Sequence, residues 1–265
     1  MSNIEYVDEK DIKLSNFREG LSICCVNAWS LINKFSLFEL FVWKLNTEGI
    51  NPDIICVSET FFSEDILMSQ YNLTGYNSCH YFRPTGRRGG GVSIYFKESL
   101  RISDDIIKRN CNDVQFLLLK FLDFDMHICA VYRPPTSIFS VENDFLELMD
   151  EILSYNNLVI LGDFNIDLLQ NNTFSNMYRN LLSANNFITF NQIATEFSTR
   201  SDGNSSSILD HVHTNLNSSD NYNFKFLLFS NSISDHKSLI LLIKQIKISQ
   251  TKHSTDSKYS KRNSD

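Results

Sequence analysis

The chain has 265 residues, of which 42 % are hydrophobic and 12 % aromatic, enough apolar material for one large core and too much for a wholly disordered chain. Its formal charge of -7 excludes a uniformly basic nucleic-acid binder, so any grip on phosphate must come from local clusters of Lys and Arg. No apolar run approaches the roughly 20 residues of a membrane span, and MSNIEYVDEKDIKLSNFREG lacks the basic-then-apolar order of a signal peptide, so an intracellular chain that is neither secreted nor membrane-bound is expected.

Residues 1–20 read as a polar leader, residues 21–246 as one folded body, and residues 247–265 as a disordered polar tail with almost nothing to bury. Within the body, LSICCV is the first predicted strand, followed by a helical segment FSLFELFVWKLNTEG whose apolar residues return every three or four positions. DIICVS and GGVSIYF follow as strands. VQFLLLKFL and MHICAVY, separated only by a polar DFD, predict an antiparallel hairpin. A second amphipathic segment, VENDFLELMDEILSYNN, precedes the strand NLVILGDF, and SILDHVHT, FKFLLFS and SLILLIK complete the series. Many strands with a few covering helices predict an α/β (α+β) sandwich of mixed, mainly antiparallel sheets rather than a doubly wound parallel sheet. Cys24, Cys25, Cys56, Cys79, Cys111 and Cys129 form no CxxC pair and are read as reduced thiols packed as small hydrophobes. The sequons at Asn72, Asn204 and Asn217 are expected to be idle for the same reason.

Polar residues gather where the apolar runs stop. LSICCV hands over to Asn27, DIICVS to Glu59, ICAVY ends in Tyr132, VIL runs into Gly162-Asp163-Phe164-Asn165, SSSIL into Asp210 and SNSIS into Asp235-His236. Any one of these is an ordinary turn former. Together they supply four acids, two carboxamides, a phenol and an imidazole, which suits metal-assisted attack of water on a phosphodiester. Mg²⁺ takes hard oxygen ligands, a role that fits Glu59, with Asp235 completing the metal or water shell. An attacking water needs a fixed carboxylate as base, which fits Asp163. Asn27, Asn165, Tyr132 and His236 can donate to charge developing at phosphorus, and Asp210 is the natural partner for the second nitrogen of His236. Phe164 is expected to point inward as an anchor, Gly162 to permit a tight exit from its strand, and Asp167 to be a solvated turn acid. RPTGRRGGG, with Arg83, Arg87 and Arg88, lacks the GKS/T ending of a phosphate loop and opens a strand, so it reads as a DNA-facing hairpin.

The order N27…E59-T60…Y132…G162-D163-F164-N165…L209-D210-H211…S234-D235-H236 resembles the endonuclease/exonuclease/phosphatase superfamily, the DNase I-like fold. Six stretches in order, NAWSLINK, NPDIICVSETFF, GYNSCHYFRPTGRRGGGVSIYFKESL, VYRPPTS, NLVILGDFNIDLL and ILDHVHTN, are similar to the apurinic-type endonuclease domain of LINE-like (non-LTR) retrotransposons. The resemblance implies a four-layered sandwich of two facing sheets flanked by helices, dependence on Mg²⁺ or Mn²⁺, and nicking of DNA to leave a 3′-hydroxyl. That end would prime a reverse transcriptase domain or protein absent from this chain, and action on DNA implies a nuclear location. It also implies Asn27 and Glu59 at the metal and phosphate, Tyr132 on the phosphate, Asp163 with Asn165 aligning the water, Asp210 and His236 as acid–base pair, and Asp235 as a metal-associated acid. Thr199 and Arg200, with Arg87 and Arg88, are weaker matches to DNA-backbone contacts. Trp29 departs from the pattern, since relatives often carry Arg in N-x-R-S-L. Two alternatives stay open: another phosphoester hydrolase of the superfamily, or a non-catalytic domesticated remnant acting as an interaction module.

Overall fold

The structure is a computed structural model, and it describes residues 4–14, 20–83, 89–135, 139–201, 205–216 and 222–245. The tail 247–265 and the arginines Arg87 and Arg88 lie outside the described residues. In chain order the elements are β1 (Ile4–Tyr6), β2 (Leu21–Asn27), α1 (Leu31–Thr47), β3 (Ile54–Ser58), β4 (Tyr76–Tyr81), β5 (Val92–Lys97), β6 (Ile107–Cys111), β7 (Val114–Phe121) and β8 (Met126–Tyr132). They continue as α2 (Phe139–Leu153), β9 (Leu158–Asp163), α3 (Thr173–Ala184), β10 (Ile188–Thr189), β11 (Arg200–Ser201), β12 (Ser206–Ser207), β13 (Asp210–Thr214), β14 (Tyr222–Phe229) and β15 (Ser238–Gln245).

Two mixed sheets face each other. One has the order β1-β14-β15-β2-β3-β5-β4 and the other β10-β13-β9-β8-β7-β6, with β11 and β12 as a separate small ribbon. Among the described residues only the β1–β14, β2–β3 and β8–β9 pairs are parallel. Side-chain alternation builds the layers: Ile23 and Cys25 of β2 meet Leu117, Leu119 and Ile128 of the opposite sheet, while Cys24 and Val26 meet Phe38, Phe41 and Leu45 of α1. On the far side, Phe116, Leu118 and Cys129 pack against Phe145 and Met149 of α2 and Tyr178 and Leu182 of α3. Strands covered on both faces must be apolar at every position, which explains runs such as LSICCV and VILG. The fold is the expected α/β sandwich of the DNase I-like type. All six cysteines are free, four of them buried. Among the described residues no helix is long and apolar enough to cross a membrane.

The polar leader needs correction. Ile4–Tyr6 add a strand to β14, Tyr6 donates its hydroxyl to the carbonyl of Phe190 at 3.1 Å, and Ile12 is buried beneath α1. Two apolar side chains in alternation suffice for an edge strand, too short a signal to separate from a tail. The edge strands β4 and β6 are also absent from the expected series: β6 carries the charged Lys108 and Arg109, and β4, YNSCHY, is largely polar without an apolar run. Helix α3 carried a legible signal in Phe174, Met177, Tyr178, Leu181 and Leu182, spaced to fill one helical face. Asn172 caps that helix by accepting from Ser175 N at 2.8 Å.

Gly162 lies inside β9, not at its exit. Its φ is +153°, and a Cβ there would come within 2.7 Å of Val131 C and 2.8 Å of Val131 N on β8, and closer still to Val131 O. Gly162→Ala is therefore expected to destabilise the protein by about 3 kcal/mol or more, because two backbones would have to part. A fall in the urea midpoint at unchanged m-value checks this, and a midpoint within experimental error of wild type overturns it. The sharp turn is taken instead by Asn165, in the left-handed region at φ 47°, which asparagine tolerates well.

Candidate active site

The opposed sheets bring their functional strand ends to one edge of the sandwich. In the parallel β8–β9 pair Tyr132 sits beside Asp163, and in the antiparallel β13–β9 pair Asp210 sits beside Asp163. Glu59 follows β3 directly, and Asn27 closes the neighbouring β2. One hydrogen bond then joins the sheets: Asn27 Nδ2 donates to Asp163 Oδ2 at 2.8 Å, and the same amide reaches Glu59 Oε1 at 3.2 Å. Asn165 completes the turn, its N–H donating to Asp163 Oδ1 at 3.0 Å and its Nδ2 to Asp163 Oδ2 at 3.1 Å. His236 Nδ1 and Asp210 Oδ2 lie 2.6 Å apart. One ligand atom each from Asp163, Asp210 and His236 lies within 4.8 Å of the others, and all three residues are buried.

Crowded carboxylates set the electrostatics. Burial, with the neighbouring Asp210 charge, pushes the Asp163 carboxyl well above its ordinary range, and burial raises Glu59 despite the Asn27 hydrogen bond. Burial also raises the Tyr132 phenol, helped by Glu59 and Asp163, so it stays a neutral donor. Burial alone would depress His236, but the Asp210 carboxylate beside it prevails and lifts the imidazole to about 9. Asp210 Oδ1 is buried with no hydrogen-bond partner among the described residues. An orphaned carboxylate oxygen beside two more acids is a hard-oxygen donor set, and it fits a divalent cation.

Supports come from residues the strand-end pattern did not single out. Ser234 Oγ donates to the Asn27 carbonyl at 2.6 Å and accepts from His236 N at 3.2 Å, tying the first core strand to the last. Arg133, two per cent exposed, sends Nη1 to the carbonyl of Asn165 at 3.1 Å, with its guanidinium 5.0 Å from the Phe174 ring. Its N–H donates to Asp163 O, and its own carbonyl accepts from Asn165 Nδ2 at 2.7 Å. Phe164 is buried as expected, stacked on His211 at 4.9 Å. Gly91 donates its N–H to Gln115 Oε1 at 2.7 Å and accepts from Thr60 N at 3.1 Å, which ties the glycine run beside Glu59.

Several expected placements change. Thr199 is fully buried and its Oγ1 accepts from Leu209 N and Asp210 N at 3.0 and 3.1 Å, so it holds Asp210 in place and cannot touch a substrate. Asp167 is not simply solvated, because its Oδ1 accepts from Leu169 N and Ile208 N, both at 3.0 Å. Asp235 stands at the exposed rim, its Oδ2 2.8 Å from Arg200 Nε and its Oδ1 4.0 Å from His236 Nε2. Arg200 is exposed beside it.

The chain matches the Endonuclease/Exonuclease/phosphatase family over residues 29–237. It belongs to that family. Members are phosphoester hydrolases and typically depend on divalent metal, in keeping with the acidic–imidazole cluster. Among solved structures, this family protein is similar to the human Nocturnin catalytic domain (15 % identity, 86 % of this chain and 94 % of that one, TM-score 0.60). It is also similar to the endonuclease domain of TRAS1, a telomere-specific non-LTR retrotransposon (14 %, 86 % and 100 %, 0.57), and to the AP endonuclease LMAP from Leishmania major (13 %, 86 % and 89 %, 0.61). At such identities the likeness concerns the fold. No curated protein matches the sequence.

Proposed function

We propose that the protein is a Mg²⁺-dependent endonuclease that hydrolyses DNA phosphodiester bonds, nicking a strand to leave a 3′-hydroxyl. The observation that carries this reading is the Asn27 amide bridging Glu59 and Asp163 across the two sheets, beside the Asp210–His236 pair. The choice of DNA is supported by the six retrotransposon-type stretches and by the likeness to the TRAS1 and LMAP endonucleases. Asp163, fixed by three hydrogen bonds and made more basic by burial, takes the proton from water as its oxygen attacks phosphorus. Asn165 aligns that water. The P–O3′ bond breaks, and the departing oxygen takes a proton from the Asp210-backed imidazolium of His236 to become the 3′-hydroxyl. Tyr132 and the imidazolium of His236 donate to phosphate oxygens as charge builds. Glu59 and Asn27, with the unpartnered oxygen of Asp210 and with Asp235 once it releases Arg200, would hold the divalent cation, which would neutralise phosphate charge as a Lewis acid. Nuclear action follows if the substrate is chromosomal, with a separate reverse transcriptase domain or protein to extend the new end.

Supercoiled plasmid incubated with Mg²⁺ tests the reading. Open circles whose ends a polymerase can extend are expected. Intact plasmid alongside hydrolysis of a small phosphomonoester overturns the DNA assignment in favour of another phosphoesterase.

A further inference from the structure

The rim of the site carries an aromatic side chain that the mechanism does not use. Trp29 is 57 % exposed although it stands only two residues beyond Asn27, and its N–H donates to Asn27 Oδ1 at 2.9 Å. Its φ is 39° and that of Ser30 is 81°, left-handed values that a bulky residue adopts only when its surroundings impose them. Ala28 N and Ser30 N donate to the carbonyls of Ser58 and Glu59, which fixes this turn to the loop carrying Glu59. Lys34 holds it from the other side. Its Nζ donates to Ile233 O at 2.7 Å and Ala28 O at 3.4 Å and lies 5.0 Å from the Trp29 ring centroid. Lys34 leaves helical geometry to do so, at φ -130° and ψ 18° within α1. An indole kept in water by a strained, doubly tethered turn, with a cation against it and a catalytic carboxamide bonded to its own backbone, is built to meet something in solution.

We propose that Trp29, backed by Lys34, is a stacking platform for an unpaired nucleobase next to the scissile phosphate. The assignment rests on the nucleic-acid reading above and narrows it: the preferred substrate has a base free to leave its stack, as in a single strand or a distorted duplex. Aromatic side chains take any base by its face, while the ammonium adds favourable charge beside the ring, on a rim where Asp235 is already paired with Arg200.

The test uses the full chain carrying Trp43→Phe, which leaves Trp29 as the sole tryptophan, since the chain has two. In the absence of divalent cation, oligothymidylate is expected to quench Trp29 fluorescence, and an abasic deoxyribose-phosphate oligomer of equal length is not, with binding of both followed by anisotropy. In the nicking assay, Trp29→Ala is expected to raise KM for a single-stranded oligonucleotide roughly 5- to 150-fold with kcat little changed. Trp29→Phe is expected to recover most of the loss. Equal quenching by the two oligomers, or an unchanged KM in Trp29→Ala with nicking intact, overturns the platform alone. Absence of nucleic-acid binding or cleavage by the wild type, with a small phosphoester still hydrolysed, overturns the platform together with the DNA reading.

Discussion

Asp163→Asn is expected to lower kcat for phosphodiester hydrolysis by roughly 10³-fold while the protein stays folded. The amide has the volume of the carboxylate, and its oxygen can still accept from Asn165 N or Asn27 Nδ2, so the turn should survive. What it cannot do is take a proton from water. It also removes a buried negative charge from beside Asp210 and Glu59, so the variant without metal should be at least as stable as wild type. Single-turnover rates and urea midpoints measured on the same preparation separate the two effects. A rate within tenfold of wild type would exclude Asp163 as the base. A rate loss accompanied by a collapsed midpoint would make the residue a structural one.

His236→Gln is the second substitution with a large expected effect, and it should cost both rate and stability. The imidazole is 7 % exposed and contacts Asp210, whose other oxygen already lacks a partner. Removing one member of a buried pair leaves the other uncompensated, which costs roughly 3 kcal/mol or more. The sign of the pH dependence follows from the raised imidazole. The folded value of about 9 exceeds the ordinary 6.5, so the proton stabilises the fold. That contribution, about 3 kcal/mol, is complete below pH 6.5 and lost as pH rises through about 9. The stability gap between wild type and variant, measured without metal, should therefore narrow from pH 6 to pH 9. A gap that widens over that range would mean the imidazole is held neutral. The expected fall in kcat is roughly 10²- to 10⁴-fold, as for loss of one acid–base group.

The residues of the candidate site could be picked out in the sequence because polar side chains that must be rigid yet reach solvent are best carried at the end of a buried strand. Asn27, Glu59, Tyr132, Asp163, Asn165, Asp210 and His236 all stand at such ends, and the structure brings them to one edge. Residues that support them were harder to see. Thr199 looks like a surface threonine until β13 folds over it, and Arg133 looks like an ordinary solvent cation in VYRPPTS until Phe145 and Phe174 enclose it. Gly162 sits where a strand exit was expected, yet the need for glycine comes from Val131 on the neighbouring strand.

The sequence by itself determined the period of the buried strands and long helices and the set of chemical groups available, since these depend on residue type and local spacing. Only the tertiary structure decided which groups touch. Asn27 and Asp163 meet from 136 positions apart, and Ser234 reaches Asn27 across 207. It also decided that the leader adds a strand, that Asp235 turns toward Arg200 and that Trp29 faces water. Burial and charge partners are properties of neighbours brought in from distant segments, and no local pattern encodes them.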